Sequence, residues 1–364
     1  LVASGFWLVL SETSFPPLVE IWAPAWGTST SAFYDALPHC RGWAGRFTCR
    51  SVRKVTFLAD GIGNLDPLHP QRIDAFEGRR SGMMLRDGRH IEWQEFGSED
   101  GFPVLYFHGT PGSSVEGGVF EDAALAKSVR IIAVDRPGMG ESDFLDDRKV
   151  IDWPGDVRQI VDHLGLREFS LVGWSGGGPY ALVCGPRLQG RVFHIGLVAP
   201  QTERAVLNND LERWASKIWM PALKALTLVP HLGEAVLELS FRLSDKHRQR
   251  RADQRIYRRV FARSHLHAQS VSSRGVVHDN AALLTDWGIT VAEVARELKS
   301  LTPPLPITIW QGGSDTSVDI KGSKKLARAL PDCELIFDPE ATHLGILLDQ
   351  AGAILDTVTP PQRH

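Results

Sequence analysis

Cysteine is scarce in this chain: Cys40, Cys49, Cys184 and Cys333 are the only four among 364 residues. They are widely spaced and form no C-x-x-C pair, which argues against a disulfide scaffold and a thiolate-bound structural zinc. Cys184 and Cys333 sit in apolar runs and read as small core residues. No stretch approaches the roughly 20 consecutive apolar residues that cross a bilayer, so no integral membrane segment is expected. The apolar start, residues 1–10, lacks a basic flank, because the first Lys or Arg is Arg41. It does not read as a signal peptide, and a cytoplasmic location is expected. An excess of one charge is also missing. The formal net charge of -3 gives no general attraction to nucleic acid or to an anionic membrane surface. With 43% apolar and 23% charged residues, the composition is that of an ordinary globular protein, long enough to bury a large core in one large domain or two smaller ones.

Residues 1–80 carry Pro16, Pro17, Pro24, Pro38, Pro67 and Pro70, four of the eleven tryptophans and little periodicity. They read as an irregular extension. From Gly82 the pattern becomes regular. Residues 83–85 and 90–96 flank an Asp87-Gly88 turn and predict a hairpin. Apolar runs at 104–107, 131–134, 169–172, 192–199, 307–310 and 334–337 predict strands. They alternate with helical patterns around 120–126, 157–164, 179–184, 321–330 and 345–355. Such alternation indicates a mainly parallel sheet covered on both faces, with sites at the carboxyl ends of its strands. The alternation is broken by a helix-rich block, residues 201–302, which predicts a helical cap inserted into a core made of 81–200 and 303–364. Its arginines, among them Arg248, Arg250, Arg251, Arg255, Arg258 and Arg259, are partly balanced by Asp245 and Asp253. They read as a solvated helix face and not as a nucleic-acid or lipid surface.

The most informative segment is Gly173-Trp174-Ser175-Gly176-Gly177. By chance a G-x-S-x-G arises in a chain of this length about one time in ten, with glycine near 7% of residues. Here an apolar strand precedes it and a helix pattern follows, with Pro179 in the first turn, where its missing N–H costs nothing. Strand, sharp turn and helix place a serine at an apex with its hydroxyl pushed outward, and small neighbours are needed to fit the turn. The helix also points its positive end at the serine, where developing negative charge is stabilised.

A nucleophilic serine needs a base, a carboxylate to orient it, and donors for an oxyanion. His343, in the loop after the last predicted strand, is the expected base. Asp315, in the loop after 307–310, is the expected acid, with Asp319 and Asp338 as rivals and helix capping as its alternative role. The expected oxyanion donors are the backbone N–H groups of Gly176 and Thr110. His108 reads as a loop brace, and the Asp135-Arg136 pair as structural. Trp174 and Gly109, beside the serine and in the oxyanion loop, are the expected substrate-binding positions. No metal site is expected.

In His108-Gly109-Thr110-Pro111-Gly112, Asp135-Arg136-Pro137-Gly138-Met139-Gly140-Glu141-Ser142, Gly173 to Gly177, Asp315 and His343, the chain resembles the capped, serine-nucleophile members of the alpha/beta-hydrolase superfamily. The resemblance spans roughly three quarters of the sequence. It implies an eight-stranded, mainly parallel sheet with one antiparallel strand, a helical cap inserted after strand 6, and no cofactor. It also implies hydrolysis of a small-molecule carboxylic ester through an acyl-enzyme. Serine in place of aspartate at the elbow argues against epoxide opening and halide displacement. Relatives that release N-terminal proline usually carry Gly-Gly-Ser-Trp-Gly at the elbow, and many relatives have glycine before the histidine where this chain has Thr342. Hydrolysis of an amide, lactone or carbon–carbon bond on the same residues, or ligand binding with negligible turnover, stay open at this point. The sequence names neither the substrate nor the oligomeric state.

Overall fold

The computed structural model describes residues 78–188, 190–202, 227–244 and 254–361. Apart from its last three positions, the extension expected over residues 1–80 lies outside them, as do Arg248, Arg250 and Arg251.

Eight strands form one sheet: β1 (Arg79–Met84), β2 (His90–Gly97), β3 (Phe102–Phe107), β4 (Val129–Val134), β5 (Phe169–Trp174), β6 (Val192–Val198), β7 (Ile307–Gly312) and β8 (Cys333–Asp338). Their spatial order is β1-β2-β4-β3-β5-β6-β7-β8. β2 runs antiparallel to both of its neighbours, and every other pairing is parallel. β1 begins four residues before the predicted hairpin strand. Its first residues, Arg79-Arg80-Ser81-Gly82, are exposed on the sheet edge and therefore carry no apolar alternation from which to read a strand.

Side chains alternate across a strand, and the sheet uses both faces. Leu105, Phe107, Ile132, Val134 and Leu171 pack on one side against α2 (Trp153–His163) and α3 (Gly177–Arg187). Val104, Tyr106, Ile131, Val172 and Trp310 pack on the other, against α1 (Glu121–Ala126) and the last helix. Central strands buried on both faces lose polar alternation, which is why they read as continuous apolar runs.

Four described helices lie between β6 and β7: α4 (Pro230–Ser244), α5 (Gln254–His267), α6 (Arg274–Leu284) and α7 (Val291–Lys299). α7 starts with a capping box between Thr290 and Glu293 and buries Val294, Ala295 and Leu298 in the same core as α3. In α5, Arg259 and Arg263 both face Glu234 of α4, so part of the arginine-rich face is paired within the insertion. After β7 come α8 (Ile320–Ala329) and, beyond β8, α9 (Gly345–Val358). No helix among the described residues is long and apolar enough to cross a membrane.

Candidate active site

β5 ends at Trp174 and α3 starts at Gly177, so Ser175 and Gly176 must reverse the chain between them. Ser175 has φ +52°, in the left-handed region that non-glycine residues rarely occupy. Backbone bonds hold it there. The Ser175 N–H donates to the carbonyl of Val198 at 2.9 Å, and its own carbonyl accepts from Gly178 at 3.1 Å and Gln201 at 2.9 Å. A Cβ on Gly173 would meet the carbonyl of Gly177, and one on Gly177 the carbonyl of Phe107, each well inside 3.0 Å. Both neighbours are backbone, so neither can give way.

β7 and β8 end beside this turn. His343 Nε2 lies 3.0 Å from Ser175 Oγ, and its Nδ1 lies 2.8 Å from Asp315 Oδ2. Those partners assign the neutral tautomer with the proton on Nδ1, leaving Nε2 as acceptor for the serine hydroxyl. Asp315 has no exposed side-chain surface. Its Oδ1 accepts from the N–H groups of Ser317 and Val318 at 2.8 and 2.9 Å, and Gln311 donates to Oδ2 at 3.1 Å. Burial raises its pKa, but the bonds from His343 and the two backbone N–H groups outweigh that and hold it below the usual carboxylate value. The rivals are engaged elsewhere. Asp319 accepts from the N–H of Lys321 and caps α8, while Asp338 accepts from Glu340 and Ala341.

Trp174 is 7% exposed. Its indole N–H donates to the carbonyl of His343 at 3.3 Å, and its ring centroid lies 5.1 Å from both His343 and Phe261 of α5. The indole fills the space that a side chain on Gly109 would need. Trp174 is thus a wall that seats His343.

The loop after β3 faces Ser175 from the opposite side. Thr110 adjoins Gly176, where a Cβ would meet Thr110 Oγ1 at 2.6 Å and Leu283 of α6 at 3.0 Å. Among the described residues, neither the Gly176 N–H nor the Thr110 N–H has a hydrogen-bond acceptor. The Gly109 N–H, by contrast, donates to Glu116 Oε2 at 2.8 Å, and the Gly109 carbonyl accepts from Arg136 at 2.9 Å. His108 is fully buried; its Nδ1 sits 2.8 Å from the Gly109 carbonyl, and its Nε2 accepts the Arg136 N–H at 3.3 Å. Burial and the nearby Arg136 charge keep His108 well below the ordinary histidine pKa, so it is a neutral brace.

Beneath this loop lies a charged network that the sequence did not suggest. Arg136 and Asp135 read as a structural pair, yet they do not pair with each other. Arg136 reaches Asp279 of α6 with two nitrogens, at 3.1 and 2.8 Å, and also donates to the His108 carbonyl at 2.5 Å and to Thr110 Oγ1 at 2.8 Å. Asp279 accepts further bonds from Thr110 Oγ1 at 2.6 Å, Arg148 at 2.7 Å and Tyr180 at 2.7 Å. Burial opposes the ionised carboxylate, but Arg136 and Arg148 overcome this and hold Asp279 far below the carboxylate range. Glu116 braces the same loop from behind, accepting also from Tyr106 and from Ser264 of α5. Burial pushes its pKa up to about 7, against the lowering effect of the Gly109 N–H and Arg136.

The chain belongs to the alpha/beta hydrolase fold family, whose model matches residues 103–350. Among characterised relatives, it is 27% identical over 262 residues to the dihydrolipoyllysine-residue acetyltransferase component of the acetoin cleaving system of Pseudomonas putida, covering 71% of this chain and 62% of that protein. It is 29% identical over 136 residues to a proline iminopeptidase of Neisseria gonorrhoeae, covering 35% and 43% of the two chains. The chain thus spans about three fifths or less of the length of these relatives. Among solved structures, a carboxylesterase from Nitrososphaera gargenis aligns with TM-score 0.57 at 16% identity, covering 76% of this chain and 96% of that one. At that identity the likeness speaks for the fold alone.

Proposed function

We propose that this protein is a serine hydrolase acting on small-molecule carboxylic esters through an acyl-enzyme. The observation that carries the reading is the chain from Asp315 Oδ2 through His343 to Ser175 Oγ, with bonds of 2.8 and 3.0 Å. Ser175 Oγ attacks the acyl carbon while His343 Nε2 takes its proton, and Asp315 stabilises the imidazolium that forms. The unengaged N–H groups of Gly176 and Thr110 receive the oxyanion. Collapse of the tetrahedral intermediate expels the alcohol, which takes the proton from His343. Water, deprotonated by the same nitrogen, then repeats the attack on the acyl group and releases the acid and free Ser175. No step needs a cofactor.

The helices between β6 and β7 act in this reading as the cap over the site, since Phe261 of α5 backs Trp174 and Leu283 of α6 adjoins Gly176. Ester hydrolysis is favoured over release of an N-terminal residue because, among the described residues, the carboxylates braced against the loop after β3, Glu116 and Asp279, are engaged by Gly109, Arg136 and Arg148.

The test is turnover of a short-chain p-nitrophenyl ester by wild type and Ser175→Ala, with fluorophosphonate labelling of both. Sustained turnover is expected in the wild type, with a drop of at least about 10⁴-fold in the variant and labelling confined to the wild type. Activity retained by the variant would refute Ser175 as nucleophile. Labelling of the wild type without turnover would favour a ligand-binding protein.

A further inference from the structure

Outside the Ser175–His343–Asp315 chain, two carboxylates and an imidazole converge from three elements. Glu92 lies on β2, Asp135 directly follows β4, and His267 is the last residue of α5. Their ligating atoms all lie within 4.8 Å of one another. Glu92 is 7% exposed and Asp135 fully buried. Among the described residues, Glu92 Oε1 and both ring nitrogens of His267 are buried without a hydrogen-bond partner. Buried polar atoms in native proteins are overwhelmingly paired, and an imidazole unpaired at both nitrogens beside an unpaired carboxylate oxygen calls for a common partner.

The surroundings support a built site. Asp135 is held by Ser114, whose N–H donates at 2.6 Å and whose hydroxyl donates at 2.8 Å, an outer layer of the kind that orients metal-binding carboxylates. Gly140, at φ +53°, lies where a Cβ would strike both Asp135 Oδ2 and the His267 ring, so glycine here permits their close approach. The other charge that reaches all three groups is Arg80, which is exposed on the edge strand β1. Donors bound to a tetrahedral ion at about 2.1 Å lie about 3.4 Å apart, so binding draws the three groups, which lie within 4.8 Å of one another, closer together by at most about 1.4 Å. His267 ends its helix with no ring hydrogen bond to break.

We propose that Glu92, Asp135 and His267 bind one divalent transition-metal ion, zinc being the first to test, which ties the end of α5 to β2 and β4. One nitrogen and two carboxylate oxygens suit such an ion, with water completing its coordination. Two carboxylates and a neutral imidazole cancel its charge. The site is structural and does not depend on the proposed ester chemistry.

The experiment strips the full chain with a chelator, restores Zn²⁺, and measures bound metal after gel filtration together with the thermal midpoint. Co²⁺ serves as the absorbing probe. About one equivalent per chain is expected, with a raised midpoint and Co²⁺ d–d bands. His267→Gln and Glu92→Gln should each weaken binding at least about tenfold, with the metal-free variants folded by circular dichroism. His278→Gln, at a half-buried histidine beside the exposed Asp146 and Asp147, should leave binding unchanged. Two variants guard against one failing to fold. The proposal is overturned if the wild type retains no stoichiometric Zn²⁺, Mn²⁺ or Co²⁺, if a folded His267→Gln or Glu92→Gln binds like wild type, or if His278→Gln abolishes binding.

Discussion

Ser175 depends on its neighbours being absent as much as on its partners being present. Replacing Gly177 by alanine drives a Cβ into the carbonyl of Phe107, where no rotamer change gives relief. A loss of about 3 kcal/mol or more is expected, read as a shift in the denaturant midpoint. Gly155→Ala is the matched control. It lies in the first turn of α2 with nothing within 4 Å of the added carbon, and should be neutral or stabilise by up to about 1 kcal/mol. Asp315→Asn should lower kcat by about 10⁴-fold with KM little changed, since an amide in place of the carboxylate favours the wrong histidine tautomer. Asp319→Asn, which alters only a helix cap, should leave kcat near wild type.

At the scale of elements, the loop after β3 and helix α6 act as one body. Asp279→Ala would leave Arg136 and Arg148 buried beside each other without their carboxylate. An expected cost of about 3–5 kcal/mol follows, together with a fall in kcat as Thr110 loses the carboxylate its hydroxyl donates to; denaturant unfolding and steady-state kinetics read the two effects. Glu116 adds a pH dependence. It faces Tyr106, Ser264 and the Arg136 charge, and its pKa rises on folding from 4.5 to about 7. A raised folded pKa means stability that is complete below about 4.5 and lost as pH rises through about 7. The loss is about 3 kcal/mol. Midpoints measured from pH 4 to pH 9 should decline more steeply for wild type than for Glu116→Gln, whose amide does not titrate.

These braces were not legible in the sequence, and the reason is physical. Ser175, Asp315 and His343, which the structure brings together, sit in loops after apolar strands, so periodicity alone marks their places. Asp279 lies inside a helix and meets Arg136 across 143 residues, a separation that carries no spacing signal. Glu116 falls in a short 3-10 segment whose fully buried carboxylate looks like any surface acid when read in sequence. Across the whole molecule the same rule holds. Strands covered on both faces announced themselves, the exposed edge strand β1 was shortened, and the helices of the insertion were read only as a helix-rich block because their faces pack on several elements at once.

The bidentate contact between Arg136 and Asp279 has a consequence for how this molecule could be recombined. Residues 201–302 look like a module that could be exchanged for a relative's to change substrate preference. The module, however, carries one half of a buried electrostatic lock whose other half, Arg136 and Arg148, stays in the recipient. A graft that brings a neutral residue to position 279 strands two buried guanidinium groups beneath the loop that carries Thr110. Chimeras of this protein should therefore be cut so that the lock travels whole.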